Sequence, residues 1–293
     1  MGRRSIFVAA LAALCLSSVG ATSCGPGNDV AGRREAISSQ SERAAIERFR
    51  TYLVGNAGAL VIWTAKMRNQ IAAGDLARAQ SRYATARVQF GQVEPVARSL
   101  DDLMARIDAT GGAGGVRFLG FHAVEKALFL ERTTEGVLET AKRLLADVEE
   151  LHRRLGTIDL LPERIAANID ETMIELSELK VAGTEERYSR IDLVGIAANT
   201  EGVEASFKAV EPLLATAMDR VLVARIEDRF KAVYASLRPY GLAAREPQSR
   251  PAAAGARFVS YADLSRNDIQ GFARPIRALA ELLARIPDRI APD

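Results

Sequence analysis

"AAGDLARAQSRYATARVQFGQVEPVARSLDDLMARID", Ala72 to Asp108, is the stretch that decides the fold class. Leu76, Tyr83, Phe90, Val93, Leu100 and Leu103 recur in it at spacings of three, four and seven, the period of one helical face. "AAGD" at its start ends a preceding helix and caps this one. Pro95 falls inside the pattern, where it removes a backbone donor and crowds the carbonyl four residues earlier, so a kink is expected there.

The same period continues on both sides. A helix is expected from about Arg34 to Asn69, carrying Ile46, Phe49, Leu53, Leu60 and Trp63 on one face. Downstream, helices are expected at about 116–132, 136–155, 162–182, 188–214, 216–238 and 259–286, about eight in all. "TGGAGG", Thr110 to Gly115, and "GLAAREPQSRPAAAGA", Gly241 to Ala256, read as loops. Of the 293 residues, 48% are hydrophobic, enough for a sizeable core, and Ala, Leu, Arg, Glu and Val dominate over strand-forming types. The expected class is all-α. "FGQVEPV", Phe90 to Val96, and "FKAVEPL", Phe207 to Leu213, form a weak internal repeat, which suggests two related four-helix bundles at about 34–156 and 160–290. A second kink is expected at Pro212.

The N-terminus reads as an export signal over residues 1–23. Arg3 and Arg4 precede an apolar run from Ile6 to Leu16 and then small residues around Val19 to Ala21. The arginine pair also fits a twin-arginine signal. Removal of the segment takes Cys15 with it and leaves Cys24 without an intramolecular partner. "ATSC", Ala21 to Cys24, resembles a lipobox, which would make Cys24 a lipidation site; cleavage after Ala21 would instead give a soluble periplasmic protein. Residues 24–33 read as a flexible tether. Lys and Arg total 39 against 37 Asp and Glu, so no broad positive field marks a nucleic-acid binder.

Candidate chemistry centres on "GFHAVEKALF", Gly120 to Phe129. His122 and Glu125 are three residues apart on one helical face, so an imidazole nitrogen and a carboxylate can reach a single ion. They could equally satisfy each other in a bundle core, because burying either alone is costly. Further ligands would have to be carboxylates, since the only other histidine, His152, sits among charged residues and reads as solvated. The candidates are Glu94, Asp108, Glu185 and Glu186, with Asp101 and Asp102 better placed on a solvated face. Glu94 and Asp108 lie about 21 Å apart along a straight helix, so both can serve one ion only if the helix breaks between them. A site with one imidazole and several carboxylates suits iron, manganese or zinc. H-E-x-x-H is absent, and "TGGAGG" lacks the lysine of a phosphate-binding loop.

The ordered stretches Ile71 to Ala109, "GFHAVEKALF", "LLADVEELHRRL" and "AGTEERYSRIDLVGIAANTEGVEASF" resemble the imelysin-like domain of EfeO/EfeM periplasmic iron-transport proteins, over about residue 40 to the C-terminus. The resemblance implies two four-helix bundles and a G-x-H-x-x-E metal motif, matched by Gly120, His122 and Glu125. It also maps family acidic residues onto Glu94, Asp108 and Glu185, whereas Gly91 stands where relatives often carry another glutamate. With no room for a cupredoxin domain, the chain is similar to the shorter EfeM type, and no copper chemistry is expected. The implied function is an exported iron-binding component, in the periplasm or lipid-anchored to the envelope, that passes iron to a membrane permease. A haem peroxidase would be a further component of the system, and zinc or another divalent metal an alternative cargo. Two other readings are a metallopeptidase of the imelysin type and a binder of alginate or another acidic polysaccharide; a non-enzymatic role is the expectation.

Overall fold

The computed structural model describes residues 26–109, 118–214, 216–241 and 259–290, with side chains from Ser39 onward. Among them every regular element is helical: α1 (Pro26–Ala72), α2 (Leu76–Ala97), α3 (Asp101–Ile107), α4 (Gly120–Glu125), α5 (Leu138–Thr157), α6 (Pro162–Glu178), α7 (Asp192–Val210), α8 (Ala217–Leu237), α9 (Arg266–Leu283) and α10 (Pro287–Ile290). The fold is all-α. Helix α5 packs on α3 and α4, α6 packs on α7 and α9, and α8 packs on α7 and α9. One apolar core runs through the described helices, with Phe90, Phe121, Leu128, Phe207, Phe230 and Phe272 fully buried. Each such side chain contributes roughly 1.5–3 kcal/mol relative to exposure.

Residues Met1–Ile37 and Ser38–Asp293 form separate units. The export signal and Cys24 lie outside the described residues. The tether expected over 24–33 is instead helical from Pro26 on. Pro26 takes the first helical position, where its missing N–H costs nothing, and Ala31, Arg33 and Arg34 are good helix formers. No helix among the described residues is long and apolar enough to cross a membrane.

Among the described residues, α2 and α7 are the most extensively packed helix pair. These helices run in the same direction, because Gly91 faces Ala198 and Asn199 while Pro95, four residues on, faces Gly202. The approach is close enough to exclude side chains. A Cβ on Gly91 would lie 2.8 Å from that of Ala198, and one on Gly202 would lie 2.6 Å from the Gln92 carbonyl oxygen. Gly91 is therefore a packing residue here, and a glutamate at this position would have to push α7 away.

Pro95 ends α2 and redirects the chain. It has no N–H to offer the Gly91 carbonyl, which accepts instead from Asn199 Nδ2 at 3.0 Å. Helix α2 ends two residues later, and its last turn tightens through Ser99 N to Val96 O and Leu100 N to Ala97 O. The single helix expected from 75 to 108 is thus broken at Arg98–Leu100, with Leu100 outside helical space at φ −115°, ψ 62°. The break folds α3 back, so that Asp108 reaches Arg87 on α2 at 2.5 Å. Pro212 marks an ending rather than a kink, because α7 stops at Val210 and continues as a 3₁₀ turn, Glu211–Leu213. Helices α8 and α9 start on complete capping boxes, Thr216 with Asp219 and Ser265 with Asp268.

Two glycines on α7 should respond oppositely to alanine. Gly202→Ala must displace backbone of α2 and is expected to cost about 1–3 kcal/mol. Gly195 has nothing within 4 Å of an added Cβ, so Gly195→Ala should gain about 0.5–1 kcal/mol of helix propensity. Thermal melting of both variants checks this, and equal effects would refute the close crossing.

Candidate metal centre

The centre begins with a glycine. Gly120 has φ +56°, and a Cβ on it would fall 1.9 Å from the Ile107 carbonyl oxygen. Only glycine allows both the backbone conformation and the approach, and these start α4 directly against the end of α3. One consequence is that His122 on α4 comes within 3.3 Å of Asp108, measured from Nε2 to Oδ1. One turn on, Glu125 places Oε2 3.2 Å from the other imidazole nitrogen, Nδ1. The helix then widens into a π-helical turn, Lys126–Leu130, a distortion frequent at functional sites.

Glu125 has a second task. Its Oε1 accepts from the backbone N–H groups of Tyr188 at 2.9 Å and Ser189 at 2.8 Å, and lies 3.0 Å from Ser189 Oγ. That oxygen anchors the segment between the 3₁₀ turn Lys180–Ala182 and α7. Within the same segment, Asp192 Oδ1 accepts from the N–H groups of Glu185 at 3.2 Å and Glu186 at 3.1 Å. Glu185 is thereby presented to His122 and Asp108 from the segment that precedes α7.

Sequence spacing pairs His122 with Glu125 at one ion, but the geometry favours a different set. Asp108, His122 and Glu185 each offer a ligand atom, all within 4.8 Å of one another. His122 is only 2% exposed, and its Nε2 faces Asp108 Oδ1 at 3.3 Å without a well-aligned hydrogen bond. A buried imidazole nitrogen among carboxylates suits a hard or borderline cation. Glu125 stands behind the ring, fixing its orientation from Nδ1 as carboxylates commonly do for metal-bound imidazoles. Glu94 is close by but engaged: Lys180 Nζ lies 2.8 and 3.0 Å from its oxygens, and Asn199 Nδ2 donates to it at 2.9 Å. A cleft of about 350 Å³, lined by Glu94, Arg98, Met104, Asp108, Glu175 and Glu185, leads to the cluster.

The resident cations matter as much as the carboxylates. Arg87 contacts three of them, Asp108 at 2.5 Å, Glu185 at 2.7 Å and Glu186 at 2.5 Å, while its guanidinium lies over the rings of Phe90 and Phe121. Lys180 joins Glu94 to Glu185 at 3.1 Å, and Arg98 pairs with Glu175. Linked by these contacts are seven carboxylates, Glu94, Asp108, Glu125, Glu175, Glu185, Glu186 and Asp192, and three permanent cations. With every carboxylate ionised, the network is negative even with His122 protonated.

Its titration reflects this. Burial alone would lower the His122 pKa, but the Asp108 and Glu125 carboxylates outweigh it and push it up to about 10. Burial pushes the Glu185 carboxyl up to about 7, against the pull of Lys180 and Arg87. Asp108 is held well below the usual range, because Arg87 and His122 overcome its burial. Burial also raises Glu186 and Asp192.

The elevated His122 pKa fixes the sign of a stability change. A folded-state value above the unfolded one, about 6.5, gives a contribution fully present below pH 6.5 and lost as pH rises toward 10. The melting temperature of metal-free protein, taken relative to His122→Gln, should therefore decline from pH 6.5 to pH 10. A flat difference would refute the elevation.

Of the residues expected from sequence, Glu94, Asp108, His122, Glu125 and Glu185 all converge in one network. Asp101 and Asp102 are exposed, Asp102 pairing with Arg154 at 2.8 Å, and His152 packs half-buried beside Gly58 of α1. Arg87, Lys180, Asp192 and Asn199 escaped the sequence reading. A signal existed for Arg87, which shares the stripe of Tyr83, Phe90 and Glu94 on α2 at spacings of four, three and four. Lys180 and Asp192 carry no periodic signal, because they flank an irregular segment.

Comparison with known proteins agrees with this architecture. Residues 45–267 match the family model described as Imelysin. "Iron uptake system component EfeO" of Escherichia coli strain K12 is 31% identical over 267 residues, covering 88% of this chain and 68% of that protein. The EfeO of Shigella flexneri shows the same identity and coverage. "Iron uptake system component EfeM" of Bacillus subtilis strain 168 is 34% identical over 215 residues, covering 73% of this chain and 53% of that protein. With a family model matched over most of its length and EfeO relatives aligned along nearly all of it, the chain belongs to the imelysin family.

Proposed function

We propose that this protein is an exported iron-binding component of an uptake system, holding a metal cation at His122, Asp108 and Glu185 and passing it to a membrane permease. The observation that carries the reading is the buried His122 Nε2 facing the carboxylates of Asp108 and Glu185 beside a cleft lined by Glu94, Asp108, Glu175 and Glu185. The names of the EfeO and EfeM relatives support iron as the cargo. The basic, apolar and small-residue order of residues 1–23 supports export, with Cys24 as the site of a lipid anchor. A permease and a haem peroxidase are the partners this reading implies.

In this reading the cation is cargo. Asp108 and Glu185 supply negative charge, His122 supplies a directional nitrogen, and Glu125 holds the ring so that Nε2 faces the ion. Glu94 and Glu175 line the approach and raise the local cation concentration. A peptidase reading would need a carboxylate free to activate water. Glu125 is poorly suited, since one oxygen accepts from two backbone N–H groups and the other faces His122.

Calorimetry of purified protein with Fe²⁺ under anaerobic conditions, and with Zn²⁺, tests the proposal. Binding is expected, with at least a hundredfold loss in His122→Ala; no uptake by the wild type would sink it. Because the metal must displace the His122 proton, affinity should fall about tenfold per pH unit below pH 8, and a pH-independent Kd would contradict coordination through this nitrogen. Metal-dependent cleavage of a peptide library, abolished by Glu125→Gln, would support the peptidase reading instead.

A further inference from the structure

Lys180 is only 3% exposed and sits on a 3₁₀ turn at the edge of the metal cluster. Its ammonium lies 2.8 and 3.0 Å from the two oxygens of Glu94, 3.1 Å from Glu185 Oε2 and 3.7 Å from Glu175 Oε1. Both oxygens of Glu185 are already engaged, Oε1 by Arg87 Nη2 at 2.7 Å and Oε2 by Lys180. An ion that takes Glu185 as a ligand therefore competes with a resident cation for it.

The two cations differ in how easily they yield. Arg87 is fixed by three carboxylates and two aromatic rings. Lys180 hangs on a flexible four-carbon stem and keeps Glu94 and Glu175 when it releases Glu185. We infer that Lys180 is the displaceable counter-cation of this centre: it neutralises Glu185 in the metal-free protein, withdraws toward Glu94 and Glu175 on loading, and biases the site toward divalent ions. The bias arises from Coulomb's law, because repulsion from a retained positive charge scales with the charge of the incoming ion. The inference rests on the metal-binding function proposed for this centre and adds the residue that sets its charge preference.

The test uses the signal-free chain with Zn²⁺ calorimetry and Tb³⁺ luminescence titration. Lys180→Met, which keeps volume and removes charge, is expected to tighten Zn²⁺ at least tenfold and Tb³⁺ by a larger factor. Unchanged or weakened binding of both ions by folded Lys180→Met overturns the inference. Should that variant fail to fold without metal, Lys180→Arg decides: it must keep the wild-type ratio of Tb³⁺ to Zn²⁺ affinity, and a changed ratio overturns the charge argument. Failure of the wild type to bind Zn²⁺ would remove the metal-binding reading itself. Wild-type binding that is lost in His122→Ala but unaltered in Lys180→Met removes only the role of Lys180.

Discussion

Carboxylates buried around one imidazole are the constraint on which the rest of this structure depends. Isolated ionised carboxylates are strongly disfavoured in a helical core, so each must find a cation, an N–H group or a proton. Arg87 answers three of them, Lys180 answers Glu94 and shares Glu185, and the N–H groups of Tyr188 and Ser189 answer Glu125. The crowding appears in the titration, where the facing carboxylates raise His122 and burial raises Glu185. Such a network can still accept positive charge, which is the property expected of a cation carrier.

Backbone devices make the convergence possible. Pro95 leaves a carbonyl that Asn199 satisfies, α2 ends, and α3 turns back toward it. Gly120 lets α4 begin against the Ile107 carbonyl, and Gly91 and Gly202 let α2 and α7 touch without intervening side chains. Each gives up side-chain packing locally and recovers it in the placement of a charged group. The metal-ligand candidates therefore sit at element ends, where direction changes, rather than on the long apolar faces.

Much of this was legible in the sequence. Period 3.6 in the stretch around Tyr83 and Phe90 points to the class, and the paired "F-x-x-V-E-P" segments fall at the C-terminal ends of α2 and α7, the second running on into a 3₁₀ turn. The same period predicts one helix to about Asp108, kinked at Pro95; rise per residue shows only that Glu94 and Asp108 could share an ion if it broke. The full break at Arg98–Leu100 was not readable, since Asn199 from a distant helix replaces the lost donor. Nor was the division of labour between His122 and Glu125, because helical spacing shows that two side chains share a face but not what lies on the far side of each. For Gly91, the family resemblance implies a missing ligand; packing against Ala198 shows a position where no side chain fits without movement.

Glu125 binds the two halves of the chain into one chemical object. One of its oxygens belongs to the imidazole three residues before it, the other to N–H groups more than sixty residues later. A chain ending at α5 would hold His122, Asp108, Glu125 and Arg87, yet the second oxygen of Glu125 would lack its N–H donors and no Glu185 would face the ring. A complete centre therefore requires residues from both ends of this span to be in place together.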